Sequence, residues 1–187
     1  MIVRLRFILY LLLILPSYLA SAAVVEIDSG ALRGIEEGGI HSFKGVPFAA
    51  PPIGQLRWAP PQAVATWQGE RDASEHGAIC VQTPFPEGSP FYRPLDKVSE
   101  DCLNLAVWSA ELNPAQLRPV MVWIHGGSFT RGSGSEPEYD GALLARKGVV
   151  VVTLNYRLNI FGNMAHPEVT EEQGGSSGNY GVLDQIA

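Results

Sequence analysis

Three apolar runs in the second half of the chain limit the possible folds more than any other feature. They are Leu103 to Trp108, Val120 to Ile124 and Val149 to Leu154, and the last two are nearly unbroken. Such runs are typical of strands that are covered on both faces of a sheet. Residues 139 to 147 lie between the second and third runs and favour a helix, and Gly148 is placed to end it. Strand, helix and strand in this order predict an α/β fold with a parallel strand pair joined by a crossover.

The segments before these runs predict a small antiparallel start to the fold. Val24 to Ile27 and Ala31 to Ile35 are strand-like and flank Ser29-Gly30, which is typical of a hairpin. The stretch from Gly45 to Pro61 is rich in proline and predicts an irregular surface segment. We therefore expect a short antiparallel part followed by a mostly parallel central sheet with helices.

The end of the chain predicts one more helix. It begins near Asn179 or Tyr180 and continues to Ala187, the last residue. Helices rarely stop in their second turn without a capping residue. We therefore expect that the sequence is a fragment, the N-terminal part of a longer domain.

The first residues have the layout of a secretory signal peptide. Arg4 and Arg6 precede an apolar run from Phe7 to Leu15, and small residues at Ala20 and Ala22 suit signal peptidase. The run is short for a membrane span, which needs about 20 residues. We expect residues 1–23 to be removed by cleavage after Ala22 or Ala23, which leaves residues 24–187 as the domain portion. The mature protein would be secreted or periplasmic without a stable membrane anchor, and an uncleaved anchor is the alternative.

Charge and cysteine content narrow the class of protein further. The formal net charge is −6, which disfavours a nucleic-acid partner because phosphate binding needs a basic face. Hydrophobic residues make up 46% of the chain, enough for a packed core. Export would place Cys80 and Cys102 in an oxidising compartment, so we predict that they form a disulfide, with two free thiols as the alternative.

The chemistry begins where the second apolar run ends, in the sequence VMVWIHGGSF from Val120 to Phe129. Paired glycines after a strand allow consecutive main-chain amides to point at one spot. Amides fixed in this way form an oxyanion hole, which stabilises the negative charge that develops when an ester carbonyl is attacked. The plainer interpretation of these glycines is a tight turn without a catalytic role.

Five blocks give the chain a resemblance to a known family. The blocks occur in the family's order and cover nearly all of the sequence after the signal peptide. On these blocks the chain resembles the type-B carboxylesterase and lipase family, the cholinesterase-like branch of the α/β-hydrolases, with the bacterial, para-nitrobenzyl-esterase-like members most similar. The blocks are FKGVPFAAPPIGQLRW at residues 43–58, SEDCLNLAVW at 99–108, WIHGGSF at 123–129, NYRL at 155–158 and GNYGVLDQ at 178–185.

The resemblance implies roles for individual residues. The oxyanion donors fall on the backbone amides of Gly127 and Ser128, although the family most often has a third glycine where this chain has Ser128. The cysteine block also departs from the family at Asn104 and Ala106. The remaining implied features are structural: the family's first disulfide at Cys80 and Cys102, and ion pairs of Arg57 with Glu100 and of Arg157 with Asp184.

The resemblance also implies that the catalytic triad lies beyond Ala187. The family's nucleophile stands in a G-x-S-x-G turn between a strand and a helix, followed by an acid and a histidine. A formal match occurs at residues 174–178, which would make Ser176 the nucleophile, but no apolar strand precedes it. We therefore interpret that segment as a loop, and His125 as a brace for its turn rather than a base. The other histidines lack metal-ligand spacing, and no cofactor or metal is expected.

Two functions of different classes follow from these observations. The first is an exported serine ester hydrolase that acts on a small-molecule carboxylic ester through an acyl-enzyme, with this chain inactive by itself. The second is a catalytically dead, cholinesterase-like binding or adhesion module that keeps the scaffold without the nucleophile. The oxyanion turn favours the hydrolase, because such a turn has little use in a binding module.

Overall fold

The computed structural model describes residues 21–95 and 97–187. The strands are β1 (Ser21–Ile27), β2 (Gly30–Glu37), β3 (Ile40–Pro47), β4 (Glu70–Asp72), β5 (Ile79–Cys80), β6 (Val98–Ser99), β7 (Asn104–Ser109), β8 (Val120–Ile124) and β9 (Val150–Leu154). The helices are α1 (Ala142–Ala145), α2 (Asn159–Asn163), α3 (Pro167–Glu172) and α4 (Tyr180–Asp184), with 3-10 turns at Gly54–Leu56 and Pro137–Tyr139. Within the described ranges a seven-stranded sheet has the order β1-β2-β3-β7-β9-β8, with β4 paired to β2.

The predicted hairpin is confirmed and is longer than expected. Strand β1 pairs antiparallel with β2 from Ser21 opposite Glu36 to Ile27 opposite Gly30. Ala23 is buried in a core cluster with Leu32 and Phe43. Both expected cleavage positions, after Ala22 and after Ala23, therefore fall inside β1. Most of the expected signal peptide, residues 1–20, lies outside the described residues.

Strand β3 corrects the prediction that the chain becomes irregular at Gly45. It lies antiparallel between β2 and β7, and its register shifts between Phe43 and Val46. The bulge spaces the buried positions Phe43 and Val46 by three residues rather than two, and Ile40, three residues before Phe43, is buried in a different cluster. The missing alternation explains why the sequence pattern did not indicate a strand. After Pro47 the segment is irregular, as predicted.

The central strands are confirmed, with a shorter crossover helix than predicted. Strands β8 and β9 pair in parallel from Val120 opposite Val150 to Ile124 opposite Leu154, and β7 pairs antiparallel with β9. The predicted helix over residues 139–147 is limited to α1, Ala142–Ala145. Asp140 has a non-helical ψ of 119°, so the helix begins only after it, and the Asp140 carboxylate accepts a hydrogen bond from the Ala142 amide at 2.9 Å.

Strand β8 differs from the prediction of a strand that is covered on both faces. All five of its side chains are apolar, and each is 44–61% exposed. Among the described residues β8 pairs only with β9, so its other edge carries unpaired amides and carbonyls. An apolar strand with a free edge is a template for pairing with another chain.

We predict that this chain expressed alone associates through β8. Replacing Val122 with Lys should shift it toward monomer in sedimentation velocity, because a charge on an edge strand opposes strand pairing. Leu117→Lys is a matched control, since Leu117 is 97% exposed and lies outside the strands. A sharp monomer peak for the unmodified chain would contradict the prediction.

Candidate active site

The turn that follows β8, residues 125–132, can only be formed with glycine at position 127. Gly127 has a φ of +120°, in the region that favours glycine. A Cβ atom at this position would lie 1.9 Å from the main-chain oxygen of Arg131. The Gly127 carbonyl accepts hydrogen bonds from the amides of Thr130 at 3.0 Å and Arg131 at 3.2 Å, which closes the turn. The chain therefore folds back tightly directly after the strand.

The amides of Gly127 and Ser128 remain available in this turn. Neither amide donates a hydrogen bond to any atom of the described chain. Ser128 and Phe129 both have positive φ angles, 54° and 57°, so two consecutive residues adopt the left-handed conformation. Successive amides in such turns form concavities that bind anions. The turn thus has the main-chain donors that an oxyanion hole needs. One of these donors belongs to Ser128, which is exposed to solvent.

Gln82 and Asn159 hold the part of the turn from Phe129 to Gly132. The side-chain amide of Gln82 both donates to the Gly132 carbonyl at 2.8 Å and accepts from the Gly132 amide at 2.7 Å. Asn159 donates from its main-chain amide to the Phe129 carbonyl at 2.8 Å and from Nδ2 to the Thr130 carbonyl at 2.7 Å. The sequence pattern indicates no role for Gln82 or Asn159, because both lie in segments without periodicity.

His125 packs beneath the turn, against Tyr156. It is 3% exposed, and its ring stacks on the Tyr156 ring with centroids 4.4 Å apart. The Tyr156 hydroxyl donates to the His125 carbonyl at 2.7 Å. Because Nδ1 lies 2.8 Å from the Gly126 carbonyl, which only accepts, Nδ1 carries the proton. Burial lowers the pKa of His125, so the ring is neutral at pH 7 and has the contacts of a brace.

The predicted disulfide is confirmed. Cys80 and Cys102 are bonded with their Cα atoms 5.0 Å apart, and both residues lie in a buried cluster with Leu158. The loop that they close has little regular structure beyond the parallel pairing of β5 with β6. This loop reaches the turn through Gln82, two residues after Cys80.

Both expected ion pairs are present, in different environments. Arg57 donates to the two Glu100 oxygens at 2.5 and 2.9 Å, with side chains that are 40% and 24% exposed. Arg157 donates to the two Asp184 oxygens at 2.8 and 2.7 Å, with side chains that are 2% and 0% exposed. Arg157 also donates to the Ala59 carbonyl at 2.9 Å. The second pair is therefore fully buried and ties α4 to the segment that follows β9.

Ser176 lies in an exposed loop between α3 and α4. The helix α3 precedes it, so the strand that a nucleophile turn requires is absent from that side. The hydroxyl that is hydrogen-bonded in this loop belongs to Ser177, which contacts Thr170 and the main chain of His166. No described histidine ring is hydrogen-bonded to Ser176. The geometry agrees with the interpretation of this segment as a loop.

An open groove of about 620 Å³ borders the turn. Its lining is mainly apolar or uncharged and includes Ser128, Phe129, Asn159, Ile160 and Met164.

No group of three or more His, Cys, Asp or Glu residues within the described ranges could hold a metal ion. No helix in the same ranges is long and apolar enough to cross a membrane.

A mixed sheet that ends in a turn with free amides is the arrangement of an α/β-hydrolase. The chain belongs to the carboxylesterase family, whose model matches residues 21–187. Its fold is that of the N-terminal portion of an α/β-hydrolase, since a solved para-nitrobenzyl esterase structure superposes with a TM-score of 0.75 at 43% identity, covering 87% of this chain and 33% of its own. A carboxylesterase of Geobacillus stearothermophilus, Est55, superposes with a TM-score of 0.76 at 41% identity, covering 87% of this chain and 32% of its own.

Two relatives show how much of the family is represented here. The chain is 48% identical over 166 residues to fumonisin B1 esterase of Sphingopyxis macrogoltabida, covering 88% of this chain and 30% of that protein. It is 45% identical over 165 residues to para-nitrobenzyl esterase of Bacillus subtilis (strain 168), covering 88% of this chain and 33% of that protein. The chain therefore spans about a third of the length of these relatives.

We predict that the two ion pairs contribute very differently to stability. Asp184→Asn should lower the free energy of unfolding by about 3–5 kcal/mol, because it leaves the Arg157 guanidinium buried without a counter-charge. Glu100→Gln should lower it far less, because that pair is screened by solvent. Urea denaturation of the two variants provides the comparison, and equal losses would contradict the prediction.

Proposed function

We propose that this chain is the N-terminal part of a serine carboxylesterase and that the turn after β8 supplies two of its oxyanion donors. The observation that carries the proposal is that the main-chain amides of Gly127 and Ser128 have no hydrogen-bond partner within the described residues. They belong to a turn that requires glycine at position 127. Membership of the carboxylesterase family and relatives that are named as esterases support the proposal. The substrate would be a small-molecule carboxylic ester.

The proposed reaction proceeds through an acyl-enzyme. A serine supplied by sequence beyond Ala187 attacks the ester carbonyl carbon, and a histidine accepts the serine proton. The carbonyl oxygen becomes an alkoxide, to which the Gly127 and Ser128 amides donate. The histidine returns the proton to the departing alcohol, and water then releases the acid by the same steps. An oxyanion donor of this kind lowers the barrier by about 3 kcal/mol, so the position of the turn controls the rate.

The test is ester hydrolysis by the full reading frame that contains this chain. Gly127→Ala should reduce kcat for a para-nitrophenyl ester by about a hundredfold or more, because the new Cβ collides with the Arg131 carbonyl and displaces the donors. Ser128→Ala should change kcat only a few-fold, because alanine supplies the same amide.

The controls separate this proposal from its rivals. Ser176→Ala should have no effect, and a loss of turnover in that variant would place the nucleophile in the exposed loop instead. An unmodified full-length protein that binds esters without hydrolysing them would support the binding or adhesion module. Full turnover in Gly127→Ala would contradict the assignment of the oxyanion turn.

We also propose that the protein is exported and that its signal peptide is removed. The Cys80–Cys102 disulfide supports export, because structural disulfides persist in oxidising compartments. The intact mass of the secreted protein should correspond to a first residue of Ala23 or Val24, with both cysteines resistant to alkylation before reduction. A retained Met1 would contradict the cleavage.

A further inference from the structure

We propose that Gln82 is a positioning residue for the oxyanion turn, and that it acts on the rate of the chemical step rather than on substrate binding. The inference rests on the proposed esterase function. It adds a residue that lies outside the turn and on which the geometry of the two donors depends. Three features carry it: the hydrogen bonds of Gln82, the packing of Gly132, and the anchoring of Gln82 by the disulfide.

The hydrogen bonds of Gln82 fix the two peptide groups on either side of the Gly132 Cα atom. Oε1 accepts from the Gly132 amide at 2.7 Å, and Nε2 donates to the Gly132 carbonyl at 2.8 Å. The same Nε2 donates to the Cys80 carbonyl at 3.1 Å. The side-chain amide therefore pairs with Gly132 in the way that a neighbouring strand would, and it cannot rotate without breaking both bonds.

Gly132 transmits this restraint to the start of the turn by direct packing. A Cβ atom at Gly132 would lie 2.5 Å from the Gly126 carbonyl oxygen and 2.5 Å from His125 Nδ1. The backbone of Gly132 thus lies against the residues that precede Gly127. On its other side, the carbonyl of the adjacent Arg131 occupies the space where a Gly127 side chain would be. A displacement of Gly132 must therefore move the backbone that presents the Gly127 and Ser128 amides.

The disulfide keeps the base of the Gln82 side chain in place. Gln82 follows Cys80 by two residues. Cys80 is buried, is bonded to Cys102 and lies in β5, which pairs with β6. The segment that carries Gln82 is otherwise irregular. A hydrogen-bonding side chain on an irregular segment positions its partner well only when the segment itself is restrained.

The effect of Gln82 should fall on kcat. The turn binds charge that exists only in the transition state, so a small misplacement of its donors raises the barrier without weakening ground-state binding. Misplacement by about 1 Å can reduce a rate about a hundredfold. A residue that only supported the fold would lower the amount of folded enzyme and leave the turnover of each folded molecule unchanged.

The experiment uses the full reading frame with Gln82→Met and Gln82→Glu. Methionine has a similar length but lacks the amide, while glutamate keeps the acceptor for the Gly132 amide and loses the donor to the Gly132 carbonyl. Gln62→Met is the matched control, because the Gln62 side chain donates only to the Pro60 carbonyl, at 3.0 Å, within the described residues. Active sites are titrated with a para-nitrophenyl phosphonate, so that kcat refers to folded enzyme even where a variant folds poorly.

We expect kcat for para-nitrophenyl acetate to fall about 10- to 100-fold in both Gln82 variants, with KM within about threefold of the unmodified enzyme. The affinity for a trifluoromethyl ketone, which mimics the tetrahedral intermediate, should fall by a similar factor. The control should match the unmodified enzyme in all three quantities. This inference alone is overturned if the unmodified enzyme is active and Gln82→Met leaves kcat unchanged. It is also overturned if the loss in the Gln82 variants is confined to KM. An unmodified enzyme without turnover overturns the proposed function and this inference together.

Discussion

The buried guanidinium of Arg157 is the interaction on which the arrangement of the other segments depends. It donates to both carboxylate oxygens of Asp184 and to the carbonyls of Arg57 and Ala59, at 2.7–3.0 Å. One side chain thus joins the residues after β9 to helix α4 and to the irregular segment that follows β3. A charge with such low exposure is tolerated only because each of these acceptors is in place, since a buried guanidinium without them would carry a large desolvation cost. The segments that supply the acceptors have little regular structure of their own, so this geometry restrains them.

A continuous set of contacts leads from Arg157 to the turn. The main chain of Arg57 is bound by Arg157, and its side chain is paired with Glu100, two residues before Cys102. The disulfide connects Cys102 to Cys80, and Gln82 connects the segment after Cys80 to Gly132. The turn is therefore restrained from a part of the protein that is distant along the chain. An oxyanion hole requires this kind of external support, because its donors must be held in position before the charge develops.

The sequence predicted the elements whose evidence is local. The parallel pair β8–β9 was visible as two apolar runs, and the hairpin of β1 and β2 as strand-like runs on either side of a turn. Strand β3 was missed because the bulge between Phe43 and Val46, and the burial of Ile40 in a different cluster, remove the alternation. Helix α1 was predicted too long because Asp140 has a non-helical ψ of 119°. Helix α3 was also missed, although Pro167 and Glu168 are typical residues for a first helical turn. In the site, the glycine turn and the disulfide were predicted, whereas Gln82 and Asn159 were not, because their roles depend on contacts with residues far away in the sequence.

Serine stands at position 128, where the resemblance to the family leads us to expect glycine, and the same contacts account for it. Ser128 has a φ of 54°, where a residue with a side chain costs about 1 kcal/mol more than glycine does. Position 127 does not allow this exchange, because the Arg131 carbonyl fills the space that a side chain would need, whereas Ser128 is exposed. The cost at Ser128 is conformational, and the amide is kept. The path of the backbone is then set by what holds the turn from outside: Gln82 at Gly132, Asn159 at Phe129 and Thr130, and Tyr156 at His125. A turn that is fixed at these points can carry serine in place of glycine and still present the same donor, because the position of the donor is determined by its neighbours and not by the flexibility of the residue itself.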